Sequence, residues 1–96
     1  MKVKMRDLRL TNLVEIPKID GGVSWSAVLT KEGKPFIKIV NHGRGGCNKY
    51  EPIGMTNREL QPILKELELE AAKRLGYTIE AFDHFCCKAK EGDFLV

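Results

Sequence analysis

The stretch VSWSAVLTKEGKPFIKIV, residues 23–40, decides the fold of this 96-residue chain. Apolar and polar residues alternate from residue 23 to residue 30, which is the spacing of a strand with one buried face. A second run, rich in β-branched residues, follows from residue 36 to residue 40. The polar tract KEGK at residues 31–34 lies between them, and Gly33 can adopt the positive φ of a tight turn. The pattern therefore predicts a β-hairpin.

A strand precedes this hairpin, because apolar residues recur at every second position between residues 8 and 16, interrupted at Asn12. Val3 and Met5 lie in the opposite phase, which predicts a bulge or break near residues 6–7. Pro17 then ends the strand, since proline cannot donate to a ladder. The residues expected to share one face are Leu8, Leu10, Val14 and Ile16.

A long helix is predicted after residue 56. Thr56 and Glu59 fit a capping box, and Gly76 is placed to end the helix. Pro62 implies either a kink in the first turns or a regular helix that begins at Pro62 itself. The acidic side chains Glu66, Glu68 and Glu70 are expected to form a solvated face.

A second, shorter helix is predicted to begin at residues 78–80 and to end at Gly92. Its apolar face would hold Ile79, Phe82, Cys86 and Ala89, although residues 77–82 also have the composition of a strand. Together these elements predict a single α+β domain over residues 1–96: a small antiparallel sheet in the N-terminal half, packed against one long helix and a second shorter helical segment. Residues 1–41 would form strands and the hairpin, 42–55 a glycine-rich loop, and 56–96 mostly helix.

Charge is divided unevenly along the chain. Residues 1–50 hold ten Lys or Arg against four Asp or Glu, whereas residues 51–96 hold six against nine. The basic half could form a patch for nucleic acid, or the acidic helix could neutralise a basic sheet within the fold or across a homodimer. The bases that would form such a patch are Lys2, Lys4, Arg6, Arg9, Lys31, Lys34, Lys38, Arg44 and Lys49.

The glycine-rich loop is the best candidate binding site. Three glycines in four positions allow backbone N–H groups to converge on an anion, and Arg44 and Lys49 add positive charge. The loop is not a Walker loop, because no Gly-Lys-Ser/Thr follows, nor a dinucleotide fingerprint. Tyr50 is expected to be exposed as a stacking surface, and Trp25 to lie in the core. The predicted ligand-binding residues are Asn41, His42, Gly43, Arg44, Gly45, Gly46, Asn48, Lys49 and Tyr50.

The same region carries a resemblance. GVSWS at residues 22–26, KEGK at 31–34 and VNHGRGGCNKY at 40–50 resemble small uncharacterised proteins encoded in bacteriophage and prophage genomes, which pair a hairpin with an Asn-x-Gly-x-Gly-Gly loop. The resemblance implies a phage accessory protein that acts in the host cytoplasm by inhibiting or sequestering a component of a host system. It implies no catalytic residue, and His42 departs from the acidic residue common at that position.

Histidines and cysteines raise two further hypotheses. His42, Cys47, His84 and Cys86 could supply a zinc site, but their spacing fits no common finger and Cys86 is better interpreted as a core residue. A cysteine nucleophile at Cys47 or Cys87 would need His42 or His84 beside it and an orienting group such as Asp83 or Asn48. A chain of this size would leave little wall to exclude water from such a site. The sequence therefore predicts no catalytic residue, no metal and no cofactor.

The cysteine count and the absence of a long apolar run favour a cytoplasmic protein without membrane contact. The function that the residues favour is a non-enzymatic binding protein whose loop contacts a phosphate-bearing or otherwise anionic ligand. The alternatives are a protein–protein inhibitor that docks on a host enzyme and a nucleic-acid-binding module that uses the basic sheet. The expected partner is a phosphate-bearing small molecule or a host protein.

Overall fold

The computed structural model of the chain describes residues 3–43, 48–76 and 80–95. In this part of the chain, four strands form one antiparallel sheet in sequence order, and two helices follow them. The predicted α+β fold is therefore confirmed. The strands are β1 (Leu8–Pro17), β2 (Val23–Lys31), β3 (Lys34–Asn41) and β4 (Lys49–Pro52), the helices are α1 (Asn57–Leu75) and α2 (Ala81–Lys88), and a 3-10 turn spans Met5–Asp7.

β2 and β3 form the predicted hairpin. Their register pairs Ala27 with Ile39 and Leu29 with Ile37, and all four side chains point into the core. The turn uses Gly33 with φ +79°, as its sequence requires. The register then shifts between residues 29 and 30, where Pro35 lies opposite Thr30, so a bulge accommodates the proline near the start of β3.

β1 carries a bulge that changes which of its side chains are buried. Its start at Leu8, directly after the 3-10 turn, agrees with the expected break near residues 6–7. However, Asn12 adopts φ +50° and the register against β2 shifts between residues 11 and 14. One extra residue reverses the alternation. Leu8 and Leu10 therefore lie in the core while Val14 and Ile16 are 50% and 59% exposed, so the prediction of one shared face was wrong.

β4 lies inside the segment predicted to be a loop. Residues 49–52 pair with β3, so that Tyr50 lies opposite Ile39 and Lys49 opposite Val40. The prediction that the whole of 42–55 is an irregular loop was therefore wrong. A four-residue strand is too short to show alternation in the sequence, and its pairing depends on the edge that β3 offers.

α1 begins as the capping box predicts. The Thr56 hydroxyl accepts a hydrogen bond from the Glu59 N–H at 3.1 Å, and the Glu59 carboxylate accepts one from the Thr56 N–H at 3.2 Å. The helix starts at residue 57 and continues through Pro62, and Gly76 ends it with φ +80°. No helix in residues 3–43, 48–76 and 80–95 is both long and apolar enough to cross a membrane.

One core unites the sheet and both helices. It joins the inward side chains of β1–β3 to buried residues of α1 and α2, and the half-buried Trp25 packs against it as predicted. The opposite face of the sheet carries Lys38 and Val28, which lie opposite each other in the register, and has no helical cover within the described residues. The buried helical side chains are Leu60, Ile63, Leu67, Ala71, Ala81, Phe82 and Cys86.

The end of the described chain joins the sheet. The Leu10 N–H donates to the Asp93 carbonyl at 2.8 Å and the Leu95 N–H donates to the Leu8 carbonyl at 3.0 Å, so residues 92–95 lie along the outer edge of β1. Leu95 is buried in the core beside them. A little further along that edge, the Glu91 carboxylate accepts a hydrogen bond from the Leu13 N–H at 2.6 Å. These residues pair with β1 through an isolated antiparallel bridge between Arg9 and Phe94.

Candidate functional site

The structure describes the two ends of the predicted binding loop. Its first part is Asn41, His42 and Gly43, and its last part is Asn48, Lys49 and Tyr50. The remaining predicted site residues, Arg44, Gly45 and Gly46, lie outside the described residues, as does Cys47.

The loop begins with a turn that only glycine can complete. The Asn41 side-chain carbonyl accepts a hydrogen bond from the Gly43 N–H at 2.8 Å, and Gly43 has φ +72°. A Cβ at Gly43 would overlap the Val23 carbonyl oxygen, so the loop passes directly against the start of β2. The Ser24 hydroxyl donates to the Asn41 carbonyl at 3.2 Å and fixes the same point from the neighbouring strand.

The loop ends on Asn48, a polar side chain that is only 8% exposed. Its side-chain oxygen accepts a hydrogen bond from the Asn41 amide at 2.7 Å, which ties the two ends of the loop together. Its own amide donates to the Tyr50 hydroxyl at 3.3 Å, and its backbone N–H donates to the Asp83 carboxylate at 3.2 Å. Asn48 therefore connects the loop to β4 and to α2.

The Tyr50 hydroxyl completes this network by donating a short hydrogen bond to the other oxygen of the Asp83 carboxylate. We call the four side chains Asn41, Asn48, Tyr50 and Asp83 the loop clamp. Burial first, and then the neighbouring Cys86 thiol and the Asp83 carboxylate, raise the pKa of Tyr50 far above its ordinary value. Tyr50 is therefore a neutral donor across the physiological pH range.

This arrangement corrects the role expected of Tyr50. Its ring packs against Phe82 with the centroids 5.5 Å apart, and the side chain is half-buried beside the core. Because the hydroxyl is bonded and the ring is covered, the prediction of an exposed stacking surface was wrong. The exposed members of the predicted site among the described residues are His42 and Lys49.

The side chains at the two ends of the loop point to two different faces of the sheet. Asn41, Asn48 and Tyr50 point towards α2, where the Asp83 carboxylate lies. Lys49 falls between Asn48 and Tyr50 in β4, so its side chain points to the opposite face of the sheet. Positive charge therefore lies on the open side of the loop, and the clamp lies on the covered side.

The two described cysteines are not activated nucleophiles. Burial raises the pKa of the Cys86 thiol well above its ordinary value, and burial also raises the pKa of Cys87. The Cys87 sulfur lies 3.9 Å from the side-chain oxygen of Asn48, while the His84 ring packs edge-on against Phe85. Among the described residues, no group of three or more His, Cys, Asp or Glu side chains could hold a metal ion.

Four of the described basic residues of the first half lie in two separate places. Lys38 and Lys49 lie on the open face of the sheet, whereas Lys4 and Arg6 line a groove beside α1. Residues 5–7 form a 3-10 turn, with Lys4 directly before it, and the side chains of Lys4 and Arg6 lie beside those of Lys73 and Arg74 of α1. Lys38 and Lys49 therefore do not share a surface with Lys4 and Arg6, and the nucleic-acid interpretation stays a prediction.

Sequence reasoning missed Asp83 as a part of the site. The residue lies 33 positions from Tyr50, on a different element, and no motif links the two positions. It also missed the roles of Glu68 and Glu70, which were expected to be solvated. Glu68 accepts hydrogen bonds from the N–H groups of Ala81 and Phe82 at 2.7 and 3.0 Å, and Glu70 accepts one from the Met5 N–H at 3.0 Å.

No protein-family model, curated protein or solved structure matches this chain. The resemblance to phage-encoded proteins over residues 22–50 therefore stays a prediction.

Proposed function

We propose that this protein is a small, non-enzymatic binding protein that holds a phosphate-bearing or otherwise anionic ligand at the loop of residues 41–50. The loop clamp is the observation that carries the proposal. Four side chains tie both ends of the loop to each other and to α2. A loop whose ends are fixed loses less conformational entropy when a ligand binds, so a preorganised loop favours affinity.

The charges near the loop also suit an anion. Both oxygens of the Asp83 carboxylate already accept hydrogen bonds, one from Tyr50 and one from the Asn48 N–H. Lys49 and His42 are exposed, and Lys49 points away from Asp83. In the sequence, Arg44 stands next to Gly45 and Gly46, the pattern in which backbone N–H groups and a guanidinium together bind phosphate.

The resemblance to phage accessory proteins supports a role for this binding activity. A protein that holds a phosphate-bearing small molecule tightly withdraws it from the enzymes of the host that use it. We therefore propose sequestration as the effect of the protein, in place of catalysis. The raised pKa values of both described thiols support this choice, because a nucleophilic cysteine needs a lowered one.

The test is a thermal-shift screen followed by calorimetry, with inorganic phosphate, mononucleotides, cyclic nucleotides and short oligonucleotides as probes. A true ligand at 100 times its Kd should stabilise the protein by about 2.7 kcal/mol. Arg44→Ala should weaken binding of that ligand by about 10-fold, since a charge-assisted hydrogen bond contributes about 1.5 kcal/mol or more.

Arg58→Ala is the matched control, because Arg58 is exposed at the start of α1 and belongs to no part of the loop. Its affinity for the same probe should equal that of the natural protein. The proposal fails if no anionic probe raises the Tm, or if the two arginine variants bind the probe equally well.

A further inference from the structure

A groove of about 520 Å³ runs between the 3-10 turn and α1. The turn contributes Lys4 and Arg6, and the helix contributes Lys73 and Arg74 together with two glutamates. This groove is separate from the loop clamp, whose residues do not line it. The anion site proposed at the loop does not use it.

The groove carries more positive charge than its own carboxylates neutralise. Glu70 is fully engaged, since one oxygen accepts the Met5 N–H at 3.0 Å and the other pairs with Arg74 at 3.1 Å. Within the described part of the chain, Lys4, Arg6 and Lys73 have no ion-pair partner.

The other nearby acids change this balance little. Glu66 is the second carboxylate of the lining, and it has no hydrogen bond or ion pair among the described residues. The Asp7 carboxylate accepts the Lys4 backbone N–H at 3.2 Å and lies outside the lining. Three unpaired cations therefore face one unpaired carboxylate.

An apolar contact lies in the same groove. Leu69 is 56% exposed and stands among these charges, and Val3, which is 4% exposed, belongs to the same lining. An exposed leucine surrounded by lysine and arginine is typical of a docking surface, where an apolar anchor is combined with a polar rim.

We propose that this groove docks an acidic segment of a partner protein that carries a leucine-like side chain. Its glutamates or aspartates pair with Lys4, Arg6 and Lys73, and its apolar side chain contacts Leu69. Charge complementarity identifies the occupant. A nucleic-acid strand suits the groove less well, because the Glu66 carboxylate would repel a continuous row of phosphates and Leu69 would gain no apolar partner.

The experiment measures binding of fluorescein-labelled 12-residue peptides by fluorescence anisotropy at two salt concentrations. The first peptide repeats Glu-Glu-Leu, the second has glycine in place of leucine, and the third has lysine in place of glutamate. We expect the first peptide to bind most tightly, the second more weakly and the third not at all. Raising the salt should weaken binding of the first, since exposed charges are screened.

Variants locate the binding site. The double variant K4Q/R6Q should weaken binding of the Glu-Glu-Leu peptide by about 2- to 30-fold, the effect of removing two exposed charge pairs. Leu69→Ser should reduce the difference between the leucine and glycine peptides. Glu66→Gln should tighten binding, which no general loss of folding could mimic. The matched control is K38Q/K88Q, which removes two exposed cations outside the groove and should leave the affinity unchanged.

Three results would overturn the proposal: equal binding of the leucine and glycine peptides, an equal effect of the groove and control double variants, or displacement of the bound peptide by an oligonucleotide at comparable concentration. Light scattering tests whether a second copy of the chain occupies the groove instead. A dimer that K4Q/R6Q dissociates would assign the groove to a second copy of the chain and would likewise overturn it.

Discussion

The carboxylates of the loop clamp and of α1 accept the same kind of hydrogen bond in different surroundings. In both, a carboxylate from the acidic half of the chain accepts a backbone N–H from another element. Asp83 does so as part of a network of four side chains. Glu68 and Glu70 each bond to the backbone of another segment without such a network. The comparison shows that part of the negative charge of residues 51–96 holds backbone segments in place, which a count of charges does not reveal.

The largest expected effect comes from breaking the network. Asp83→Ala leaves the Tyr50 hydroxyl and the Asn48 N–H without their acceptor at a partly buried site. Each unsatisfied donor costs about 1–3 kcal/mol, so the loss of the acceptor for two donors should lower the free energy of unfolding by about 2–6 kcal/mol. Urea unfolding followed by circular dichroism measures it.

The control for this variant is Asp20→Ala. Asp20 also accepts a backbone N–H, that of Gly22 at 3.0 Å, but at an exposed turn where water can replace the carboxylate. The free energy of unfolding of this variant should fall by about 0.5 kcal/mol. Similar losses of unfolding free energy for Asp83→Ala and Asp20→Ala would show that the loop clamp stabilises the fold no more than one exposed hydrogen bond does.

A smaller effect is expected for the single carboxylates of α1. Glu68→Ala removes the acceptor for two N–H groups in the first turn of α2, which should destabilise the protein by about 1–2 kcal/mol. Glu66→Ala is the matched control on the same helix, because Glu66 bonds to none of the described residues, and it should change stability by less than about 0.5 kcal/mol. Equal losses from these two variants would contradict the role assigned to Glu68.

The smallest effect is expected for Tyr50→Phe, and it should depend on pH. At pH 7 the lost hydrogen bond should destabilise the protein by about 1 kcal/mol. Because the pKa of Tyr50 is raised in the folded state, its contribution is full below pH 10 and declines as the pH rises above the unfolded value of about 10. At pH 11 the variant should therefore have gained about 1.4 kcal/mol relative to the natural protein.

Urea unfolding of both proteins at pH 7 and pH 11 measures this difference. Both proteins are made in a Cys86→Ala background, because burial raises the pKa of the neighbouring Cys86 thiol while the Tyr50 hydroxyl lowers it, and the two titrations would otherwise be coupled. A difference in stability that stays constant between the two pH values would show that Tyr50 ionises as readily in the folded chain as in the unfolded one.

The sequence predicts those parts of this fold that depend on neighbours along the chain. The hairpin of residues 23–40 and the start of α1 at Thr56 follow from alternation, a glycine turn and a capping box, which act over a few residues. The bulge at Asn12 was missed because a polar residue in a strand does not reveal that the backbone there takes positive φ.

The candidate site was predicted less completely. Asn41 and Asn48 were identified through the glycines between them, which are local. Their partner Asp83 comes from another element, and only the docking of α2 brings it there. Tyr50 was placed on the surface because it stands at the end of the glycine-rich loop, whereas its ring packs on Phe82, 32 residues later.

The pairing of residues 92–95 with β1 has a consequence for aggregation. Open sheet edges beside exposed apolar side chains recruit strands from other molecules, and Val14 and Ile16 are such side chains. Here the backbone of Leu8 and Leu10 is already hydrogen-bonded to residues 92–95, and the Leu13 N–H donates to the Glu91 carboxylate. Pro17 has no backbone N–H to donate. An intruding strand would find few free amides along this edge, so β1 exposes Val14 and Ile16 beside an edge that is largely paired.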